Sequence, residues 1–417
     1  MIFFLYNLIL LLSLLLLSPI ILFKLIFDKR YIIGLSERLG NIPDTVIGAM
    51  SGQRPIWFHA ASVGEVIASQ KLLEGIRERF HDRKLMVSTF TPTGNKAAKE
   101  KLKAEGVIFL PLDLPWIVRK VLKKVNPSVL ILMETELWPN LIKSAGDMGI
   151  PVAVVNGRIS DRSYGKYWFI SPLLKRVFDN IKAFLMQSDG DARRIVTLGA
   201  EPSKVSVTGN IKFDTIVSEV NIPFMDNWGG AVFIAGSTHK GEDAPVIDIY
   251  MELRGKYPDL KFILAPRHLE RIWEVEGVLI EKGLQYVKRS QVKGMTGVPV
   301  LLLDTLGELA SFYKYGNIVF MGGSIVPVGG HNLLEPALYG KAVLFGPHTE
   351  NFRDAARILT ESGGGVEVKD AGELMIWTDR LLSDKRLCDS MGDKARQAVL
   401  KNRGATGMTL EALSKVW

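Results

Sequence analysis

Seven short apolar runs separated by longer amphipathic stretches fill residues 56–213, and seven more fill residues 232–369. The runs IWFHA (56–60), VLILMET (129–135) and VAVVNGR (152–158) carry no period-2 alternation. Strands of that kind are apolar on both faces, as parallel strands covered by helices on either side must be. The segment 221–230 (NIPFMDNWGG), rich in Pro, Gly and polar residues, divides the two series and reads as a linker. The pattern therefore predicts an α/β chain with two doubly wound, Rossmann-like domains, one over 28–220 and one over 221–417.

Residues 1–23 contain no charged side chain, a length of about 20 residues being enough to cross a bilayer. The basic residues Lys24, Lys29, Arg30 and Arg38 follow the apolar run, whereas a cleaved leader carries its charge before it. Residues 1–27 are thus expected to be an uncleaved transmembrane anchor, single-pass, with Met1 outside and the rest on the cytoplasmic side. The single cysteine, Cys388, excludes an intramolecular disulfide and any Cys-rich metal site.

The 52 Lys and Arg against 44 Asp and Glu leave a net charge of +8. These cations are scattered, with no zinc-ligand spacing or basic heptad helix, so nucleic acid is not the expected partner. An anionic membrane surface suits them better. Arg119, Lys120, Lys123 and Lys124 in PWIVRKVLKKV (115–125) fit either an interfacial helix or a core helix with a solvated face, and SYGKYWFISPLLKR (163–176) mixes aromatic and basic residues as bilayer interfaces do.

Ligands of open α/β sheets bind beyond the carboxyl ends of the strands. Polar residues stand there, His59, Glu134, Asn156, Ser237, Arg267 and Ser324 among them, and two such edges across a linker predict a cleft for two substrates. In HAASVGE (59–65), Glu65 fits either a catalytic carboxylate at a helix start, kept ionised by the helix dipole, or a capping box with Ser62. In METELWPN (133–140), an extended chain would put Glu134 and Glu136 on one face at the mouth of an apolar strand. Lys212, in VTGNIKFD, lies near the linker. Glycine turns within 322–348 lead into helix starts, an arrangement that binds phosphate through backbone N–H groups, while Glu335 fits a ribose contact or a cap with Asn332. No P-loop or GxGxxG spacing occurs, and the one DxD, Asp189-Gly190-Asp191, fits an acidic first helical turn without a metal.

Taken in order, HAASVGE, METELWPN, VNGRIS, VTGNIKFD, AGSTHKGE, LAPRHLER, DTLGEL and GGHNLLEPALYGK resemble the bacterial 3-deoxy-D-manno-octulosonic acid (Kdo) transferases of lipopolysaccharide synthesis. The resemblance implies a GT-B glycosyltransferase, its two domains facing across a cleft. It would move Kdo from CMP-Kdo to a lipid A precursor, with inversion and without a metal or other cofactor, at the cytoplasmic face of the inner membrane. By motif, Glu65 resembles the general base, and Glu134 and Lys212 resemble the groups that stabilise the transition state. Pro266, Arg267, Leu306, Gly307, Glu308, Asn332, Leu333, Leu334 and Glu335 resemble the CMP contacts. A GT-B transferase using a UDP-sugar and a membrane-tethered nucleotide-binding adaptor are the competing expectations.

Overall fold

A computed structural model describes residues 1–28, 32–50, 52–214, 222–292, 294 and 297–416. Lys29, Arg30 and the first linker residue, Asn221, lie outside the described residues. The chain forms two compact units, one of Met1–Asp214 with Arg403–Trp417 and the other of Thr215–Asn402.

The first unit holds a parallel sheet of β1 (Ile56–His59), β2 (Leu85–Thr89), β3 (Gly106–Phe109), β4 (Val129–Met133), β5 (Val152–Gly157), β6 (Ala183–Met186) and β7 (Val205–Val207). Their order is β3-β2-β1-β4-β5-β6-β7, so the direction of winding reverses between β1 and β4. Each strand feeds two cores by alternation. Trp57, Leu130 and Leu132 enter one, while Phe58, Val129, Ile131 and Met133 enter the other. That is why the runs read as continuously apolar.

The second unit repeats the plan with β8 (Val232–Thr238), β9 (Lys261–Pro266), β10 (Tyr286–Lys288), β11 (Val300–Leu302), β12 (Ile318–Met321), β13 (Ala342–Phe345) and β14 (Gly365–Glu367). The order is β10-β11-β9-β8-β12-β13-β14, with the reversal between β8 and β12.

The basic helix Pro115–Val125 is a core helix. Proline occupies its first turn, where the missing N–H costs nothing, and Asn126 ends it in the left-handed region. Ile117, Val118, Val121, Leu122 and Val125 recur at helical spacing and are buried. Its cations are engaged within the unit: Lys120 donates to Asn41 at 2.7 Å and Arg119 lies 3.4 Å from Asp147.

The expected boundary needs one correction. The second domain does not run to residue 417, because the helix Ala405–Leu413 packs on the first unit, Leu413 and Ala405 joining the core beneath β1 and β4. Asp214, buried at the end of the first series, accepts hydrogen bonds from the backbone N–H groups of Gly404 (2.7 Å) and Thr406 (2.5 Å). Asp214→Ala would strand both donors, and we expect a loss of roughly 3 kcal/mol, read by denaturant unfolding.

The helix Ile2–Phe27 has no buried residue and is apolar enough to cross a membrane. Its first two turns touch the first unit: Tyr6 Oη donates to Asp113 at 3.0 Å, and Asn140 Nδ2 donates to Asn7 at 2.7 Å.

Candidate active site

At the reversal of an open sheet the loops leaving two neighbouring strands diverge to opposite faces and leave a crevice. In the first unit that crevice lies between the ends of β1 and β4, where Glu65 and Glu134 stand. Ser62 caps the helix Val63–Arg79, donating to Glu65 Oε1 at 2.9 Å, while the Ala61 N–H donates to Oε2 at 2.8 Å. The carboxylate thus returns to the helix start, though to the Ala61 N–H one residue before the cap rather than to the Ser62 N–H of a reciprocal capping box, and these bonds fix it in place. These donors favour ionisation, yet the Glu65 pKa is pushed up to about 7, first by burial and then by the negative charge of Glu134. The expectation that the helix terminus keeps it low is corrected: desolvation outweighs the hydrogen bonds from Ala61 and Ser62 at the helix start.

Glu134 does not continue the strand. Its φ of 56° lies in the left-handed region, which costs a non-glycine residue about 1–3 kcal/mol and persists only where surroundings enforce it. The premise of an extended chain thus fails, and the two acids part. Glu134 Oε1 lies 3.3 Å from Lys212 Nζ, whereas Glu136 accepts from Trp138 Nε1 at 3.2 Å and lies 3.9 Å from His59 Nε2.

Lys212 sits on the short turn Ile211–Asp214. Asn156, itself at φ 53°, accepts from the Ile211 N–H at 3.1 Å, and Asn210 accepts from the Lys212 N–H at 3.0 Å. A second strained residue therefore holds the lysine beside the first. His59, fully buried, has Nδ1 3.0 Å from the Ser88 carbonyl oxygen and 2.9 Å from Ser88 Oγ, while its Nε2 lies on the side of Glu136. Its strand-end position is the only sequence signal it carries.

In the second unit the glycine turn after β12 is not a free phosphate cradle. Glu242 accepts from the N–H groups of Gly323 (2.6 Å), Ser324 (3.1 Å), Ile325 (3.0 Å) and Val326 (3.4 Å), so the backbone donors expected for a ligand are spent on a buried carboxylate. Against this turn packs a histidine pair, His239 Nε2 to His331 Nε2 at 2.8 Å, with the His268 ring edge-on to His239. Burial, then the positive charge of Arg267, lowers the His331 pKa from the usual 6.5 to about 4. Because the unfolded chain takes up that proton at higher pH, the second unit should lose stability as pH falls from about 6.5 toward 4. His331→Phe should flatten that slope in pH-dependent unfolding.

Pro266 ends β9 and the exposed Arg267 follows, its N–H donating to Thr238 at 2.9 Å. Leu306 is exposed, Gly307 has φ 83°, and Glu308 accepts from Arg289 at 2.8 Å. Asn332 Nδ2 donates to Glu335 at 2.9 Å, and burial raises the Glu335 pKa. Leu333 and Leu334 are both buried in the protein, and the Leu334 N–H donates to Asn332 Oδ1 at 3.1 Å. Asp191 of the DxD accepts from the Ile159 N–H at 2.8 Å and from Ser188 Oγ at 2.5 Å, a capping arrangement.

The two-unit plan is that of UDP-GlcNAc 2-epimerase from Neisseria meningitidis (TM-score 0.59, 12% identity, 87% of this chain and 100% of that one). A glycosyltransferase from Rickettsia africae is similar as well (TM-score 0.58, 12% identity, 88% and 98%). These likenesses establish a GT-B type of fold. A family model described as 3-deoxy-D-manno-octulosonic-acid transferase (kdotransferase) matches residues 34–215. The 3-deoxy-D-manno-octulosonic acid transferase of Haemophilus influenzae is 35% identical over 93% of this chain and 92% of its own length. That of Bordetella pertussis is 34% identical over 86% of each. A bifunctional glycosyltransferase/methyltransferase of Fusobacterium nucleatum is 36% identical over 79% of this chain, which spans only 53% of it. With the paired acids and lysine at the sheet reversal, these relatives show that the chain belongs to the Kdo transferase family, glycosyltransferases of lipopolysaccharide biosynthesis.

Proposed function

We propose that this transferase moves Kdo from CMP-Kdo to a lipid A precursor, lipid IVA, with inversion at the anomeric carbon. The observation that carries the reading is the grouping of Glu65, Glu134 and Lys212 at the reversal of the first sheet. An acceptor hydroxyl oxygen attacks the anomeric carbon as the bond from that carbon to the phosphate oxygen breaks. Glu65 takes the hydroxyl proton. A carboxylate whose pKa is about 7 combines ionisation at neutral pH with real basicity, and its remaining lone pairs are free to accept while Ala61 and Ser62 hold it.

Positive charge grows on the anomeric carbon and negative charge on the departing phosphate. Glu134 serves the first and Lys212 the second, both placed before the reaction begins. The second unit takes CMP: Arg267 supplies charge to the phosphate, Glu308 and Glu335 meet donor groups of the nucleotide, and the backbone of Asn332–Leu334 lines the base or ribose. No metal or other cofactor enters this scheme. An adaptor without turnover would have no use for a buried base beside an ion-paired carboxylate. The enzyme works at the cytoplasmic face of the inner membrane, attached by the helix Ile2–Phe27.

The test is mass spectrometry of products from CMP-Kdo and from UDP-sugars on tetraacylated lipid A precursor. We expect a mass gain of one or more Kdo units with stoichiometric release of CMP. Turnover of a UDP-sugar alone would sink the proposal.

A further inference from the structure

We propose that the helix Ile2–Phe27 enters the membrane without crossing it, so that both of its ends stay on the side of the first unit. Both of its flanks are tied to one five-residue stretch, Phe109–Asp113. On the leading side, Tyr6 Oη donates to Asp113 at 3.0 Å, Asn7 accepts from Asn140 at 2.7 Å, and Lys143 Nζ sits 5.7 Å from the centre of the Phe3 ring. Ile2, Phe3 and Tyr6 pack against the core of the unit. On the trailing side, Glu37 accepts from the Phe109 N–H at 2.7 Å and the Arg38 carbonyl accepts from the Leu112 N–H at 2.8 Å.

The lengths do not permit a crossing with both ties kept. At 1.5 Å per residue the helix covers roughly 31 Å from Tyr6 to Phe27, the thickness of a hydrocarbon core. A helix crossing with Met1 on the far side would pull Tyr6 and Asn7 off the unit and leave Asp113 and Asn140 without them. A helix crossing the other way would leave Phe27 on the far side, and the seven residues to Gly34, reaching at most about 25 Å, would have to bring Asp28, Lys29 and Arg30 back through hydrocarbon. A helix lying within one leaflet satisfies both ties.

Its surroundings suit that placement. The helix Ser171–Phe178 is a direct neighbour, and the corner that leads into it exposes Trp168 (55%), Phe169 (85%) and Ile170 (44%). The helix and this corner thus both expose apolar side chains of the kind that enter a bilayer. Asp113 also accepts from the N–H groups of Asn140 (3.0 Å) and Leu141 (2.8 Å), so the residue that anchors the membrane helix caps the helix Pro139–Asp147 behind the Glu134 turn.

The test is cross-linking of the full chain in native inner-membrane vesicles, in a Cys388→Ser background. Asn7→Cys with Asn140→Cys should form a disulfide on mild oxidation, and Phe3→Cys with Lys143→Cys should be joined by a short bismaleimide, each in most of the molecules. The second pair spares the buried Asn140 and decides the matter where the first does not fold. Ile2→Cys should react with a membrane-impermeant maleimide in inside-out vesicles and not in intact spheroplasts. Absence of cross-linking by both pairs in membranes, or labelling of Ile2→Cys in spheroplasts, overturns the proposal. None of these readouts depends on which sugar nucleotide the enzyme uses.

Discussion

Glu65→Gln should lower kcat by about 10²–10⁴-fold while leaving the affinity for the nucleotide donor near its original value. The amide oxygen can still accept from the Ala61 N–H while its NH2 donates to the Ser62 hydroxyl, which reverses its role, so the local cap survives, but the amide cannot take a proton. The wild-type pH profile gives an independent check. Since the Glu65 pKa is pushed up to about 7, the rate should climb through neutral pH and level off above it. A Glu65→Gln enzyme with near-normal turnover, or one whose residual rate still climbs through pH 7, would remove Glu65 from its role. The same shift has a stability consequence of opposite direction. Between the ordinary 4.5 and about 7 the folded chain holds a proton that the unfolded chain has lost, so the first unit becomes less stable as pH rises across that window.

Lys212→Met should cost about 10²–10³-fold in kcat, the usual loss when one preorganised group is taken from a developing charge. It should also move the pH profile. Lys212 lies 3.3 Å from Glu134, and Glu134 raises the Glu65 pKa through its negative charge. Removing the lysine leaves that charge unbalanced and should carry the ascending limb above pH 7, whereas Glu134→Gln should carry it below. Opposite displacements from two substitutions in one ion pair distinguish electrostatic coupling from general disruption, which would move neither limb. Identical displacements would show that the pair does not act on Glu65. Both variants weaken the transition state, and because the groups touch, the double variant should lose less than the product of the two.

All fourteen strands were visible in the sequence: the inner ones because parallel strands covered on both faces are apolar nearly throughout and the helices between them are not, the edge strands β7, β10 and β14, which carry Ser206, Lys288 and Glu367, from their place in the series. The order of motifs along the chain likewise sufficed to place Glu65 after β1 and Glu134 after β4. A capping box and a buried base looked like alternatives at Glu65, since spacing alone cannot say whether a carboxylate that returns to its helix start also loses water. The structure shows that it does both.

Other features depend on contacts between distant residues, and no local pattern announces them. The parting of Glu134 from Glu136 follows from a left-handed residue held by the Lys212 pairing, and Lys212 is held in turn by Asn156 across the sheet. Glu242 fills the turn that looked ready for phosphate, more than eighty residues away along the chain. The final helix belongs to the first unit because Asp214 satisfies its leading N–H groups. The sequence by itself determined two doubly wound units, an apolar N-terminal helix and the family of the enzyme, since periodicity and motif order are local properties. Only the tertiary structure decided the raised pKa of Glu65, the partner of each acid and where both ends of that helix are tied. Burial and hydrogen-bond pairing are set by what folds against a residue, not by its neighbours in the chain.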